Sequence, residues 1–149
     1  MTRKLCHELY KHWTNDASIY MDMHLFQPYV YDEAAVNRYF DMKGQDASRR
    51  LFAIMLGDKV IGELQLKQID HDKKECSLSL HMQNDAVKGK GYGTQAERWA
   101  VKTAFDELGM AAVNADTIRK NTRSQHVLEK VGFRFVGEDE TFKYYRIEQ

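Results

Sequence analysis

The chain is poor in proline and cysteine, has no excess charge of either sign, and contains no long apolar run. Pro28 is the one proline among 149 residues, so no proline-rich linker divides the chain. Cys6 and Cys76 form no CxxC pair. That argues against a disulfide framework or a thiol–metal site and suits a reducing, cytoplasmic setting. Lysine and arginine together number 22, and so do aspartate and glutamate. Such a balance gives no hint of the basic face usual in a nucleic-acid binder, so no nucleic-acid partner is expected. No apolar stretch approaches the roughly 18 residues of a membrane span, and the N-terminus has no signal-peptide core, so no membrane partner is expected. His7 and His12 are five positions apart and fall on different helix faces, which gives no metal pair. The length suits one domain, 1–149, with a substantial core.

What is present is strong periodicity. Leu5, Leu9 and Trp13 recur at helical spacing, so 3–13 reads as a short amphipathic helix. The segment IYMDMHLFQPYVYDEAA has no clean period but is rich in methionine and aromatic residues. Asp32 is placed to cap a helix running to about Met42, with Val36, Tyr39 and Phe40 on its inner face. KGQDASRR reads as a loop. Residues 51–67 read as a β-hairpin around GDK, and ECSLSLHM alternates, with Cys76, Leu78, Leu80 and Met82 on one face. A helix with Val101, Ala104, Phe105 and Leu108 inward follows, stopped by Gly109. AAVNADT reads as a strand, NTRSQHVLEKV as a helix, and FRFVGE and FKYYRIE as closing strands. The order predicts a mixed α/β fold.

The segment VKGKGYGTQAERWAVKTAFDELG raises the chemical question. Gly89, Gly91 and Gly93 stand at every second position, between a strand and a helix. About four backbone N–H groups are unpaired at a helix start, and the macrodipole adds positive potential there. Glycines admit positive φ and let an anion approach the backbone closely. Lys88 and Lys90 add charge, and Thr94 adds a hydroxyl. A pyrophosphate meets these conditions. The spacing is neither that of a Walker loop nor that of the dinucleotide fingerprint GxGxxG.

KGKGYGT with QAERWAVKTAFDELGM, followed by NADTIRKNTRSQHVLEKVGFRFVGE, resembles the acetyl-CoA-dependent GNAT N-acetyltransferases. Lys88, Gly91 and Gly93 occupy the family's [R/Q]xxGx[G/A] signature, with lysine in the first place. Asn121, Ser124 and the run Glu129 to Phe133 occupy its second half. The match is good from about residue 50 onward. HVLEKVGF is most similar to the branch of ribosomal-protein N-terminal acetylases and spermidine acetylases. The resemblance implies a mostly antiparallel sheet with helices on both faces. It also implies backbone amides from Lys88 through Gly89, Lys90, Gly91, Tyr92 and Gly93 to Thr94 around the coenzyme A pyrophosphate. The pantetheine arm would pair with Leu80, His81 and Met82, where two central strands splay, and Asn121 would line the far side. No metal is implied. The family opens with a strand, whereas helix-like residues begin here almost at Met1, so the first strand is missing or shortened. The sheet edge that this leaves makes a homodimer compatible by analogy.

The chemistry so implied is direct attack of an amine on a thioester. An alkyl amine is well under 1% neutral at pH 7, a penalty of roughly 4–5 kcal/mol, so a base is needed. Where relatives carry a strand glutamate this chain has Ser77. Glu75 and Glu63 are the candidate bases. Relatives also place a tyrosine just before the Glu-Lys of EKxGF, and Leu128 stands there, leaving Ser124 to contact the thiol or orient a water. Asp22, Asp32 and Glu33 are candidates for attracting a cationic amine. The alternative from another class is a catalytically silent acyl-CoA-binding or sensor domain.

Overall fold

Alternation of apolar residues folds Arg50–Leu56 (β1), Lys59–Asp70 (β2) and Glu75–Met82 (β3) into an antiparallel meander. Gly57, at φ 60°, supplies the left-handed residue of the first turn. The computed structural model describes residues 1–16 and 26–149. β3 next pairs in parallel with Ala112–Ile118 (β4). A parallel neighbour needs a crossover, and the helix Tyr92–Asp106 (α3) provides it. A second helix, Thr122–Val131 (α4), leads from β4 into Arg134–Glu138 (β5) and Phe142–Glu148 (β6). The sheet order is β1-β2-β3-β4-β6-β5, antiparallel except at β3–β4.

The two faces of β2 face different helices. Leu64 and Leu66 join Ala100, Val101 and Ala104 of α3 and Leu128 of α4 in one buried cluster. Strand side chains alternate, so Ile61, Glu63 and Gln65 point to the other side. That side is covered by Arg3–Lys11 (α1) and Glu33–Gln45 (α2). The expected mixed, mostly antiparallel sheet with helices on both faces is therefore present. No helix among the described residues is long and apolar enough to cross a membrane.

Local chemistry sets the helix ends. Thr2 Oγ1 accepts from Leu5 N–H at 3.2 Å, and Asp32 Oδ1 accepts from Ala34 N–H at 3.2 Å. Gly132, at φ 115°, closes α4 by donating to Leu128 and Glu129 carbonyls. Two boundaries differ from the sequence expectation. The first helix ends at Lys11, not at residue 13. α2 runs on through Lys43–Gln45, because Gly44 lies on an open surface where its lack of a side chain costs only helix propensity. No strand precedes α1 among the described residues, and β1 forms an edge. The Met1 ammonium donates to the Leu51 carbonyl at 3.3 Å, which ties the N-terminus to that edge.

Candidate active site

β3 and β4 stay paired for three registers only: Glu75 with Ala112, Cys76 with Val113, Ser77 with Asn114. Beyond them β4 continues against β6 as far as Ile118, while β3 continues against β2. From Leu78 to Met82 the β4-facing edge of β3 has no strand partner among the described residues. The backbone groups of this edge are left for something else to satisfy. Both strands run toward the same end of the sheet, so α3 and α4 present their N-termini on either side of the gap. Ligands in open α/β sheets bind at such a place.

The glycine segment forms one wall. After a short 3-10 turn, Asp85–Val87, the chain passes through Gly89 at φ 73° and Gly91 at φ 84° and enters α3. A Cβ at Gly89 or Gly91 would meet nothing within 4 Å, so the space beside the loop is open. Gly91 is the N-cap and offers no side-chain acceptor. The helix ladder begins only with Gln95 N–H on the Gly91 carbonyl at 3.1 Å. The Tyr92, Gly93 and Thr94 amides thus have no intrahelical partner. A Cβ on Gly93 would lie 3.8 Å from Leu80 Cδ2, so the helix start rests directly on the end of β3. Lys90 is exposed. Lys88 departs from expectation: its ammonium is committed to Asp16 at 3.2 Å and Asp85 at 3.4 Å, so it braces the loop.

Across the gap, Asn121 caps α4 by accepting from Ser124 N–H at 3.1 Å. Both residues are half-buried. The same cap that starts the helix therefore holds Ser124 in its first turn.

A second cluster lies on the α1–α2 side of β2 and β3. Glu63 stands directly opposite His81 in the strand register. It is 2% exposed, and its Oε2 has no hydrogen-bond partner. Its Oε1 accepts from the Tyr39 hydroxyl at 2.5 Å and from Gln65 Nε2 at 3.0 Å. Arg49 in turn donates to Gln65 Oε1. Burial, then the Glu63 charge, push the phenols of Tyr39 and Tyr10 far up, so both remain neutral donors. His81 keeps part of its surface in solvent. Loss of hydration over the rest lowers its pKa, against the opposing pull of Glu63.

The structure brings Glu63, His81, Leu80, Met82, the glycine loop, Asn121 and Ser124 to one end of the sheet. It does not bring Glu75. That residue begins β3, six residues before His81, or about 20 Å at strand rise. Its carboxylate accepts from Arg146 Nη2 at 2.6 Å, and this bond holds its pKa below the usual range. Glu75 is thus held in an ion pair at the far end of β3 from the gap, which lends its reading as a base no support. Asp32 is spent as the α2 cap, and Glu33 is exposed in that helix's first turn. Asp22 lies outside the described residues. Tyr10, Gln65 and Arg49 were absent from the sequence reading, and Tyr39 entered it only as an inward residue of the second helix. The alternation of VIGELQL was the available signal, because it places two polar residues on one face of a central strand.

A parallel strand pair that splays between two helix N-termini, with a capless glycine turn on one side, is the architecture of an acetyltransferase. The chain belongs to the acetyltransferase (GNAT) domain family, whose model matches residues 2–134. The probable N-acetyltransferase YjcK of Bacillus subtilis is 36% identical over 76 residues, 51% of this chain and 42% of that protein. The match thus spans less than half of the relative's length. Among solved structures, spermidine N-acetyltransferase of Vibrio cholerae in complex with CoA and spermine has a TM-score of 0.81 at 17% identity. It covers 100% of this chain and 92% of that one. The N-acetyltransferase PseH of Campylobacter jejuni in complex with acetyl coenzyme A has a TM-score of 0.69 at 22% identity, covering 78% and 79%. At these identities the solved structures speak for the fold.

Proposed function

We propose that this chain moves the acetyl group of acetyl-CoA to a primary amine by direct attack. The observation that carries the reading is the strand pair: three parallel registers, then a gap that opens beneath the glycine turn. The residues fit the cosubstrate. Unpaired amides from Gly89 to Thr94 suit a pyrophosphate, and open space beside Gly89 and Gly91 admits it. The free edge from Leu80 to Met82 suits an extended amide-bearing arm. Acetyl-CoA supplies the activated acetyl group as a thioester. Asn121 and Ser124 line the far wall, and Ser124 holds the leaving thiol or a water. Glu63 takes the proton of the incoming amine, with Tyr39 and Gln65 fixing its other oxygen.

Membership in the family supports the activity, and the acetyl-CoA and CoA complexes of the solved relatives support the cosubstrate. The branch of ribosomal-protein N-terminal and spermidine acetylases is part of this reading, supported by HVLEKVGF, and so is a homodimer across a sheet edge. A second reading, acyl-CoA binding without turnover, rests on Leu128. Its side chain is 2% exposed and gives the gap no hydroxyl to protonate a thiolate.

Calorimetric titration with acetyl-CoA, against ADP and free coenzyme A, tests binding. Thiol release with an amine panel tests transfer. Micromolar binding that needs the whole cosubstrate, together with amine-dependent thiol release, is expected. Binding without release from any amine would select the second reading, and no binding would remove both.

A further inference from the structure

The α1–α2 face of β2 is graded in character along its length, and that gradient bears on the acceptor. At the gap end, the Tyr10 ring lies 5.0 Å from Trp13 and 5.6 Å from Tyr39, and Trp13 meets His81 at 6.4 Å. Tyr10 and Trp13 are half-buried, so their rings present a surface to solvent. On this face the only buried carboxylate among the described residues is Glu63, with Oε2 unpartnered. Aromatic faces and a single carboxylate oxygen form a receptor for one ammonium.

Farther along the same face the charge reverses. Gln65 is held by Arg49, and Lys67 follows two residues later on the same side. Lys43 of α2 sits 5.5 Å from the Tyr39 ring centre. Neither lysine has an ion-pair partner among the described residues. Burial, then Arg49 and Lys67, lower the pKa of Lys43, which reflects cations crowded on one flank. On the opposite flank Asp16 and Asp85 are already used by Lys88. On the cation flank Asp46 is likewise used, by Arg49 at 3.2 Å.

We propose that the acceptor is a singly charged primary amine on a flat or apolar body. Its nitrogen is drawn to Glu63, its body is stacked on Tyr10 and Trp13, and Lys43 and Lys67 exclude polyamines. The proposal rests on the acetyltransferase reading and narrows it. It also separates this chain's acceptor from the polyamine bound in the Vibrio cholerae structure.

The test compares kcat/KM for phenethylamine and spermidine in the wild type, Trp13→Ala, Lys67→Glu and the Lys43→Glu/Lys67→Glu double variant. Low and high salt are both used. Phenethylamine is expected to exceed spermidine by at least about tenfold. Trp13→Ala should raise KM for phenethylamine with little change in kcat. Each lysine reversal should raise spermidine turnover several-fold at low salt, less at high salt, and leave phenethylamine within about twofold. Lys67→Glu alone suffices should the double variant fail to fold, since Lys43 packs against Tyr39. A wild-type preference for spermidine, or a ratio unmoved by charge reversal, would overturn the proposal and leave the acetyltransferase reading standing. Intact acetyl-CoA binding without transfer to any amine would overturn both.

Discussion

The Tyr39 hydroxyl donates to Glu63 Oε1 at 2.5 Å, and Gln65 Nε2 reaches both groups, 3.1 Å from the phenol oxygen and 3.0 Å from the carboxylate. One residue comes from α2 and two from β2, so packing of a helix on the sheet completes the triangle. It fixes one oxygen of Glu63 and leaves the other without a partner. A carboxylate held in this way is restrained in orientation while keeping one oxygen for a proton.

Replacing Glu63 by Gln keeps the shape of this triangle and removes the base. General-base groups are worth roughly 10²–10⁴ in rate, and kcat/KM for the amine should fall within that range. Acetyl-CoA affinity by calorimetry should not change. Tyr39→Phe acts differently: it removes a hydrogen bond to a buried carboxylate and should cost about 1–3 kcal/mol in denaturant unfolding. Unaltered turnover in Glu63→Gln would take the base role from this residue.

Gly91 separates backbone conformation from ligand contact. Its φ is 84° and nothing stands within 4 Å of a built Cβ. Gly91→Ala therefore meets only the left-handed penalty, about 1–2 kcal/mol of stability. Acetyl-CoA binding should change little. Gly91→Glu places a carboxylate at the proposed pyrophosphate position and should weaken binding by at least about tenfold. Calorimetry on both variants distinguishes them, and equal affinities would mean that the phosphates lie elsewhere.

Glu75 provides the negative control. It is bound to Arg146 and half-buried at the closed end of the β3–β4 pair. Glu75→Gln should leave kcat/KM within about twofold and cost no more than ~1 kcal/mol, as for other partly exposed ion pairs. A hundredfold loss of rate would return Glu75 to the catalytic candidates.

The contrast between the two glutamates shows where sequence reading stopped. Both sit in alternating strands of similar pattern, and alternation reports a face but not an end of the sheet. The resemblance put the cosubstrate at the Leu80 to Met82 end of β3; that Glu63 stands at that end, opposite His81, and Glu75 at the other is set by strand register, a tertiary property. The glycine turn was legible because local backbone chemistry demands glycine and position there, before a patterned helix. The strands and α3 and α4 were legible for the same reason: their periods are local. Helical spacing put Tyr39 on an inner face, but its meeting with Glu63 was not legible, nor were Tyr10 and Arg49, because nothing in their own neighbourhoods marks that contact. α1 and α2 must dock on the sheet before they meet Glu63.

Glu97 is the other case hidden from the sequence, and it predicts a pH dependence of stability. It lies on the inward face of α3 with Ala100, Val101 and Ala104, is 5% exposed, and has an unpartnered Oε2. Burial raises its pKa from the usual 4.5 to about 8. Between these values the folded chain keeps a proton that the unfolded chain releases. The unfolded state then binds fewer protons, so stability must fall as pH rises. The contribution is fully present below about pH 4.5 and gone above about pH 8, a loss of a few kcal/mol by linkage. Glu97→Gln carries the same shape without the ionisation. Urea unfolding at pH values inside and above this window should show a falling stability for the wild type and a flatter one for Glu97→Gln. The variant should gain most above pH 8, where the native carboxylate is charged and buried. Parallel curves for the two proteins would show that Glu97 finds a partner or water on ionising.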